Sequence, residues 1–200
     1  ITDVLFVFGL AGMIIGSLHA IREKNINRMV AFSSAAQIGY IYAAIGLGTE
    51  AGLAAAVFHM MTHALTKPLL FTAADGLIDA VGNRKDFASL RGSAHLNRLA
   101  GIGFTVGSLS MVGLPAFSGF VSKLLIAEAS TNVAGKMLAT LIVLSVSTIL
   151  NAVYFLHTVI TIYTPRTPDL PVYGVMKNRK GLFAVYACFI AAILLLGLHP

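Results

Sequence analysis

Two hundred residues, 57% hydrophobic and only 11% charged, with a mean hydropathy of +0.84, leave too little polar surface to coat a water-soluble globule. The chain is therefore expected in a lipid bilayer. Its formal net charge of +6 comes without any run of basic residues interleaved with aromatics, which argues against nucleic acid as a partner and turns the basic excess into a question of membrane orientation. A single cysteine, Cys188, excludes a disulfide within the chain, a cysteine-built iron–sulfur cluster and any CxxC site. Ile1 opens inside an apolar run with no initiator Met, basic n-region or cleavage site, and the expectation is a piece of a longer protein.

A helix needs about 20 apolar residues to cross the hydrocarbon core. Six passes are predicted in chain order, over Val4–His19, Met29–Leu47, Ala51–Val81, Leu99–Ala129 with an interruption, Val133–Tyr163 and Gly181–Leu198. No Pro-rich or Ser-rich linker separates two compositions, so residues 1–200 read as a single all-α, polytopic transmembrane bundle with short loops, apart from Thr164–Lys180. The charges test this parse. Arg22, Lys24 and Arg28 fall between passes one and two; Arg84, Lys85, Arg91 and Arg98 between three and four; Arg166, Lys177, Arg179 and Lys180 between five and six. The opposite loops, Gly48–Glu50 and Ser130–Val133, carry no basic residue, with Lys136 just inside the next pass. By the positive-inside rule, loops 20–28, 82–98 and 164–180 are expected on the cytoplasmic side of a prokaryotic cell membrane. Only Lys67 and Lys123 remain, and both lie within passes.

The third pass, at about 31 residues and 1.5 Å per residue, is longer than the ~30 Å core. Pro68 should kink it and free the carbonyl of Ala64. His59, His63 and Lys67 recur at i, i+4 and i+8 and form one polar seam, each step ~6 Å along the axis. Groups so spaced can hand on a proton directly or through one water, and imidazole both donates and accepts near neutral pH. One histidine would read as a satisfied packing residue; three ionisable groups on one stripe, each costly in lipid, read as an ion pathway. Metal or haem ligation by His59 or His63 lacks a supporting HExxH pattern or cysteine ligand. Asp75 and Asp79 continue the helix toward the cytoplasm, either as a proton-collecting mouth or as solvated residues at the bilayer edge.

The fourth pass is interrupted at Gly113-Leu114-Pro115-Ala116-Phe117-Ser118-Gly119. Broken helices build ion sites near the midplane, where only protein or a watery cavity can satisfy non-helical backbone. Lys123 follows in or near the first turn of the second half-helix. There it is expected to meet the positive end of that helix's dipole, poised to gain and lose a proton. Glu128 is either its counter-ion or an outer-surface exit group. Asn151 and His157 are the other polar groups of the fifth pass, with His157 a secondary candidate. Ser33, Ser34 and Gln37 can hold water, although small polar residues also join helices.

Three stretches carry a resemblance: Asn25-Ile-Asn-Arg-Met-Val-Ala-Phe-Ser-Ser-Ala-Ala-Gln-Ile-Gly-Tyr40, Phe58-His-Met-Met-Thr-His-Ala-Leu-Thr-Lys-Pro-Leu-Leu-Phe71 and Gly113-Leu-Pro-Ala-Phe-Ser-Gly-Phe-Val-Ser-Lys123. They resemble the signature stretches of the antiporter-like proton-translocating membrane subunits found in respiratory complex I, Mrp-type cation/proton antiporters and energy-converting hydrogenases. The resemblance implies the second half of an inverted-repeat antiporter-like fold, with His59, His63 and Lys67 as a central relay. Lys123 would be the ionisable residue of the broken helix, a position that is Lys in some members and Glu in others. Four positions depart from the family pattern. Asn25 and Asn27 stand where an acidic residue and a lysine are common, and Pro68 and Asp75 where Ala and Gly are usual.

The sequence thus leads to a proton-translocating subunit of a redox-driven pump of the NADH:quinone oxidoreductase or membrane-bound hydrogenase type. Lys67, His63 and His59 would relay protons to Lys123. Any cofactors of electron transfer are expected only in partner subunits, since the chain shows no nucleotide fingerprint or cluster ligands and no metal site is expected in it. The expected partners are other membrane subunits, the bilayer, protons and, in an Mrp-type antiporter reading, Na+ or K+. Two other classes stay open: a haem-binding anchor using His59 and His157, and a purely structural subunit with an inactive seam.

Overall fold

The computed structural model describes residues 1–165 and 180–199. The third basic loop, with Arg166, Lys177, Arg179 and the Lys180 side chain, lies outside the described residues. Eight helices are described: α1 (Thr2–Arg22), α2 (Ile26–Gly46), α3 (Glu50–Ala80), the single-turn α4 (Ser93–Leu96), α5 (Arg98–Val112), α6 (Ser118–Thr131), α7 (Ala134–Tyr163) and α8 (Lys180–Leu198). The six expected passes correspond to α1, α2, α3, the pair α5 and α6, α7 and α8. The one element not anticipated is α4, within the second basic loop. Among the described residues, α1, α2, α7 and Gly181–Leu198 of α8 are each long and apolar enough to cross a membrane on their own.

Local chemistry explains the helix ends. Asn25 accepts from the backbone N–H groups of Asn27 and Arg28 and starts α2; Thr49 does the same for α3 through Gly52, and Asn97 for α5 through Ala100. Gly113 ends α5 at φ 88°, the left-handed conformation for which glycine is the low-cost residue. Ala116 also lies at positive φ, 76°, so the break holds backbone strain at a residue that has a Cβ. Pro68 does not interrupt α3, which stays helical from end to end with the proline ring on the exposed surface.

Helix α1 lies against α2 at backbone distance. A Cβ on Gly9, Gly16 or Gly39 would sit 2.3–2.5 Å from a main-chain nitrogen of the opposite helix, so small residues on both sides are what allow this approach. Helix α3 is central and packs on α2, α5, α6 and α8, while α7 closes the bundle against α1, α5 and α6. The loops at the basic end are joined by an isolated bridge between Asn25 and Asp86, with Ile26 N–H donating to Lys85 O at 3.1 Å. The first two basic loops therefore lie on the same side.

The apolar core is split in two. One cluster, at the basic end, contains Val30, Leu70, Leu77, Phe104, Met111 and Phe155. The other, at the opposite end, contains Met13, Tyr40, Ala56, Ile126 and Leu144. Between these two layers every central helix places polar residues: Ser17 on α1, Ser33 and Gln37 on α2, His59 to Lys67 on α3, Ser122 and Lys123 on α6, Ser147 and Asn151 on α7. The bundle is thus a polar layer held between two hydrophobic ones.

Candidate proton-relay site

Both intramembrane lysines are buried in this layer, Lys67 at 5% and Lys123 at 8% exposure. The Lys67 ammonium donates to the carbonyl of Val30 at 3.0 Å and to the Ser33 hydroxyl, and lies 6.0 Å from the Phe155 ring centroid. The Lys123 ammonium donates to the carbonyls of Met111 and Val112 at 3.0 and 2.9 Å and sits 5.5 Å from the Tyr40 ring centroid. All four carbonyl and hydroxyl acceptors are neutral. Among the described residues neither lysine forms an ion pair, the two pairs found being Arg28–Glu23 and Lys136–Asp3 at the helix ends.

The position of Lys123 corrects the expectation drawn from the helix dipole. Lys123 is in the second turn of α6, and its stem reaches back across the break to the last turn of α5. Its charge therefore meets the carbonyl end of α5, the favourable end of a helix dipole for a cation. Glu128 is not its counter-ion: that side chain is exposed near the C-terminal end of α6, beside a cleft lined by Ala51, Phe58, Leu125 and Asn132.

The polar seam of α3 divides between two neighbours. Lys67 turns to α2, whereas His59 Nδ1 is 3.0 Å from the Ser122 hydroxyl of α6, with the imidazole stacked on Tyr40 at 5.3 Å between centroids. His59, His63, Gln37, Thr62, Met111 and Lys123 line one narrow pocket. Several polar atoms here have no partner among the described residues: Nε2 of both histidines, the Thr62 hydroxyl and both amide atoms of Gln37. Buried groups of this kind are normally satisfied, and a set that converges on one pocket can pass a proton between its members.

Of the secondary candidates, Ser33 and Gln37 belong to this layer, Ser33 as the Lys67 acceptor and Gln37 in the pocket. Asp75 is exposed at the basic end, where its carboxylate accepts from Asn27 Nδ2 at 3.0 Å. The departures Asn27 and Asp75 thus pair with each other. His157 is exposed and packs edge-on to Phe87 with 6.1 Å between centroids, outside the layer and away from the buried His59. The structure does not bring those two histidines together as a haem pair.

Tyr40, Ser122 and Tyr154 are site residues that the sequence reading missed. Tyr40 was legible in principle, since Ser33, Gln37 and Tyr40 recur at i, i+4 and i+7 on one face of α2. Ser122 touches His59 only because the break sets the rotation of α6, which no periodicity reports.

Comparison with known proteins agrees with this architecture. The family model for NADH:quinone oxidoreductase/Mrp antiporter transmembrane segments matches residues 1–151. The sequence is 34% identical over 169 residues to NADH-quinone oxidoreductase subunit N of Desulforudis audaxviator, covering 84% of this chain and 33% of that protein. The fold is similar to a chain of the Mrp complex from Dietzia sp., with a TM-score of 0.83 and 25% identity over 98% of this chain and 45% of that one. It is also similar to a chain of the membrane-bound sulfane sulfur reductase, an archaeal respiratory membrane complex, with a TM-score of 0.85 and 27% identity over 97% of this chain and 39% of that one. The chain spans between a third and a half of the length of these proteins. With the family model matched over three-quarters of its residues and the helix bundle shared, this integral membrane chain belongs to the NADH:quinone oxidoreductase/Mrp antiporter family of antiporter-like membrane subunits.

Proposed function

We propose that the chain forms a proton-translocating part of a membrane subunit in a redox-driven pump of the NADH:quinone oxidoreductase or membrane-bound hydrogenase type. The observation that carries this reading is the pair of buried lysines, without carboxylate partners among the described residues, one at each end of a histidine pair, in a polar layer sealed by apolar residues on both sides. Charges left without counter-ions inside a membrane bundle are costly and mark ion pathways. Lys67 and His63 are one helical turn apart, and His63, His59 and Lys123 share the pocket, so a proton leaving Lys67 has a route to Lys123. Ser122 orients His59 by engaging Nδ1 and leaves Nε2 facing the transfer path.

The driving reaction and its cofactors belong to partner membrane subunits, with the basic loops on the cytoplasmic side of a prokaryotic membrane. A second reading, an Mrp-type Na+ or K+/H+ antiporter subunit, is supported by the similarity to the Mrp complex chain. The deciding experiment is proton pumping in inverted vesicles that carry the full-length protein with its partners, comparing wild type with Lys67→Ala and Lys123→Ala at matched assembly. Both variants are expected to lose pumping. Unchanged pumping would overturn the relay, and transport that depends on Na+ or K+ would favour the antiporter.

A further inference from the structure

Lys123 borders two cavities. One is the histidine pocket, on the side of α2 and α3. The other is a groove of about 390 Å³ between the α5–α6 break and α7, open to the surface of the bundle. The buried Lys123 and Gly113 lie at its inner end, Ser145 and Thr148 bring hydroxyls from α7, and Leu124 and Ile149, both more than half exposed, flank its mouth. The break leaves the ammonium one donor to spare. Of its three N–H groups, two go to the carbonyls of Met111 and Val112, and among the described residues the third has no hydrogen-bond partner. A Cβ at Gly113 would lie 3.4 Å from Nζ, so the missing side chain of this glycine keeps the ammonium within reach of the groove.

A ligand for this groove must meet three conditions. It has to reach a polar layer that lies between two apolar ones, and so must travel through the bilayer uncharged. Its head has to accept hydrogen bonds from an ammonium and two hydroxyls and to supply the negative charge that no described residue gives Lys123. Its remainder has to be apolar, to lie along Leu124 and Ile149. A phosphate headgroup fails the first condition, and an alcohol or an ester fails the second. A long-chain carboxylic acid meets all three. It crosses as the neutral acid, and its O–H proton passes to the Lys123 amine in that group's deprotonated state. The product is an ammonium–carboxylate pair with no net charge.

We propose that the groove is a binding site for a single-chain carboxylic acid dissolved in the bilayer, with Lys123 as its anchor and Ser145 and Thr148 as hydroxyl donors. The bound carboxylate holds a proton on Lys123, so on the relay reading an occupied groove arrests transfer. The binding itself does not depend on that reading.

The test is photolabelling of the full-length protein with its partners in liposomes, using palmitic acid that carries a diazirine near the carboxyl end, against its methyl ester and the matching alcohol. Cross-links are mapped by mass spectrometry. The acid is expected to label residues 113–124 and 144–149 several-fold more than the ester or the alcohol, and excess unlabelled palmitic acid to compete. Ser145→Phe, which fills the groove from an exposed position on α7, is expected to lower the labelling several-fold. Leu124→Trp, a second filling variant should the first impair assembly, is expected to do the same. Lys123→Met is expected to remove the preference for the acid. Equal labelling by acid, ester and alcohol overturns the proposal, as does labelling unchanged in the filling variants. It is also overturned if these segments go unlabelled in the assembled protein, the outcome when a neighbouring subunit covers the groove. Failure of the relay reading shows separately, as unchanged pumping in Lys123→Ala with acid-selective labelling of the wild type intact.

Discussion

The tightest backbone approach in the site is at Gly119, and it gives the most direct test of how the broken helix works. A Cβ at this position would lie 1.7 Å from the Ser110 carbonyl oxygen of α5. Carbon–oxygen contacts settle near ~3.3 Å, so Gly119→Ala must part α5 and α6 by about 1.5 Å or rotate one of them. Overpacking of this size typically costs about 1–3 kcal/mol. The functional cost is expected to exceed the thermodynamic one, because Gly119 lies one turn before both Ser122 and Lys123. The same shift would pull the Lys123 ammonium off Met111 and Val112 and Ser122 off His59, and misplacements near 1 Å can cost about 100-fold in a proton-transfer geometry. Gly135→Ala is the matched control: no atom lies within 4 Å of a Cβ there. Assayed in the full-length protein with its partners, Gly119→Ala is expected to lower the midpoint of thermal unfolding in detergent and to cut pumping by an order of magnitude or more. Gly135→Ala should change neither. Wild-type pumping and stability in Gly119→Ala would show that the break adapts freely and would refute the reasoning.

Three other perturbations follow from the packing. Gly39→Ala would bring a Cβ within 2.5 Å of the Met13 nitrogen, and the resulting separation of α1 from α2 is expected to cost about 1–3 kcal/mol, read as earlier thermal unfolding without a loss confined to pumping. Lys136 donates to the Gly46 carbonyl at 2.7 Å and pairs with Asp3 at 2.6 Å, joining three helix ends opposite the basic loops; Lys136→Met should lose about 1 kcal/mol and make the amides near Gly46 exchange faster. In the loop after α3, partial burial pushes the Asp86 carboxyl up, but hydrogen bonds from Ser89 and the charge of Arg84 outweigh that and hold it below the usual range. Its contribution is present above the ordinary carboxylate pKa and is lost as pH falls through the lower folded value. Protection from hydrogen exchange over 85–92, taken against the intrinsic rate at each pH, should therefore fall in acid in the wild type, while Asp86→Asn should show the lower protection already at neutral pH and lose that dependence.

The helices, and the placing of the first two basic loops at one end of the bundle, were legible because hydrophobic run length and loop charge are local properties of the chain. Lys67 and Lys123 stood out for the same reason: each is a lone cation in an apolar run. What surrounds them was not legible. The partner of Lys123 depends on how sharply the chain turns between Gly113 and Ser118, and the left-handed backbone at Gly113 and Ala116 points the second half-helix so that its lysine faces backwards. The dipole argument from sequence assigned the lysine to the nearer helix end, and three-dimensional proximity gave it the other. The division of the α3 seam has a similar origin. A drift of about 40° per step carries Lys67 round toward α2 while His59 faces α6, and only the positions of those neighbours decide what each side chain meets.

The lysine that closes the end of α5 has a consequence for sequence variation at this site. An ammonium group brings donors to two carbonyls at once, whereas an ionised carboxylate brings none and would repel both. Relatives with Glu at the matching position would therefore have to terminate the first half-helix by another device, such as a donor from a neighbouring helix or a bound water. Exchanging Lys123 for Glu in this chain would accordingly alter the shape of the break as well as the sign of its charge. An acid could be accommodated there only together with substitutions that supply new donors to Met111 and Val112.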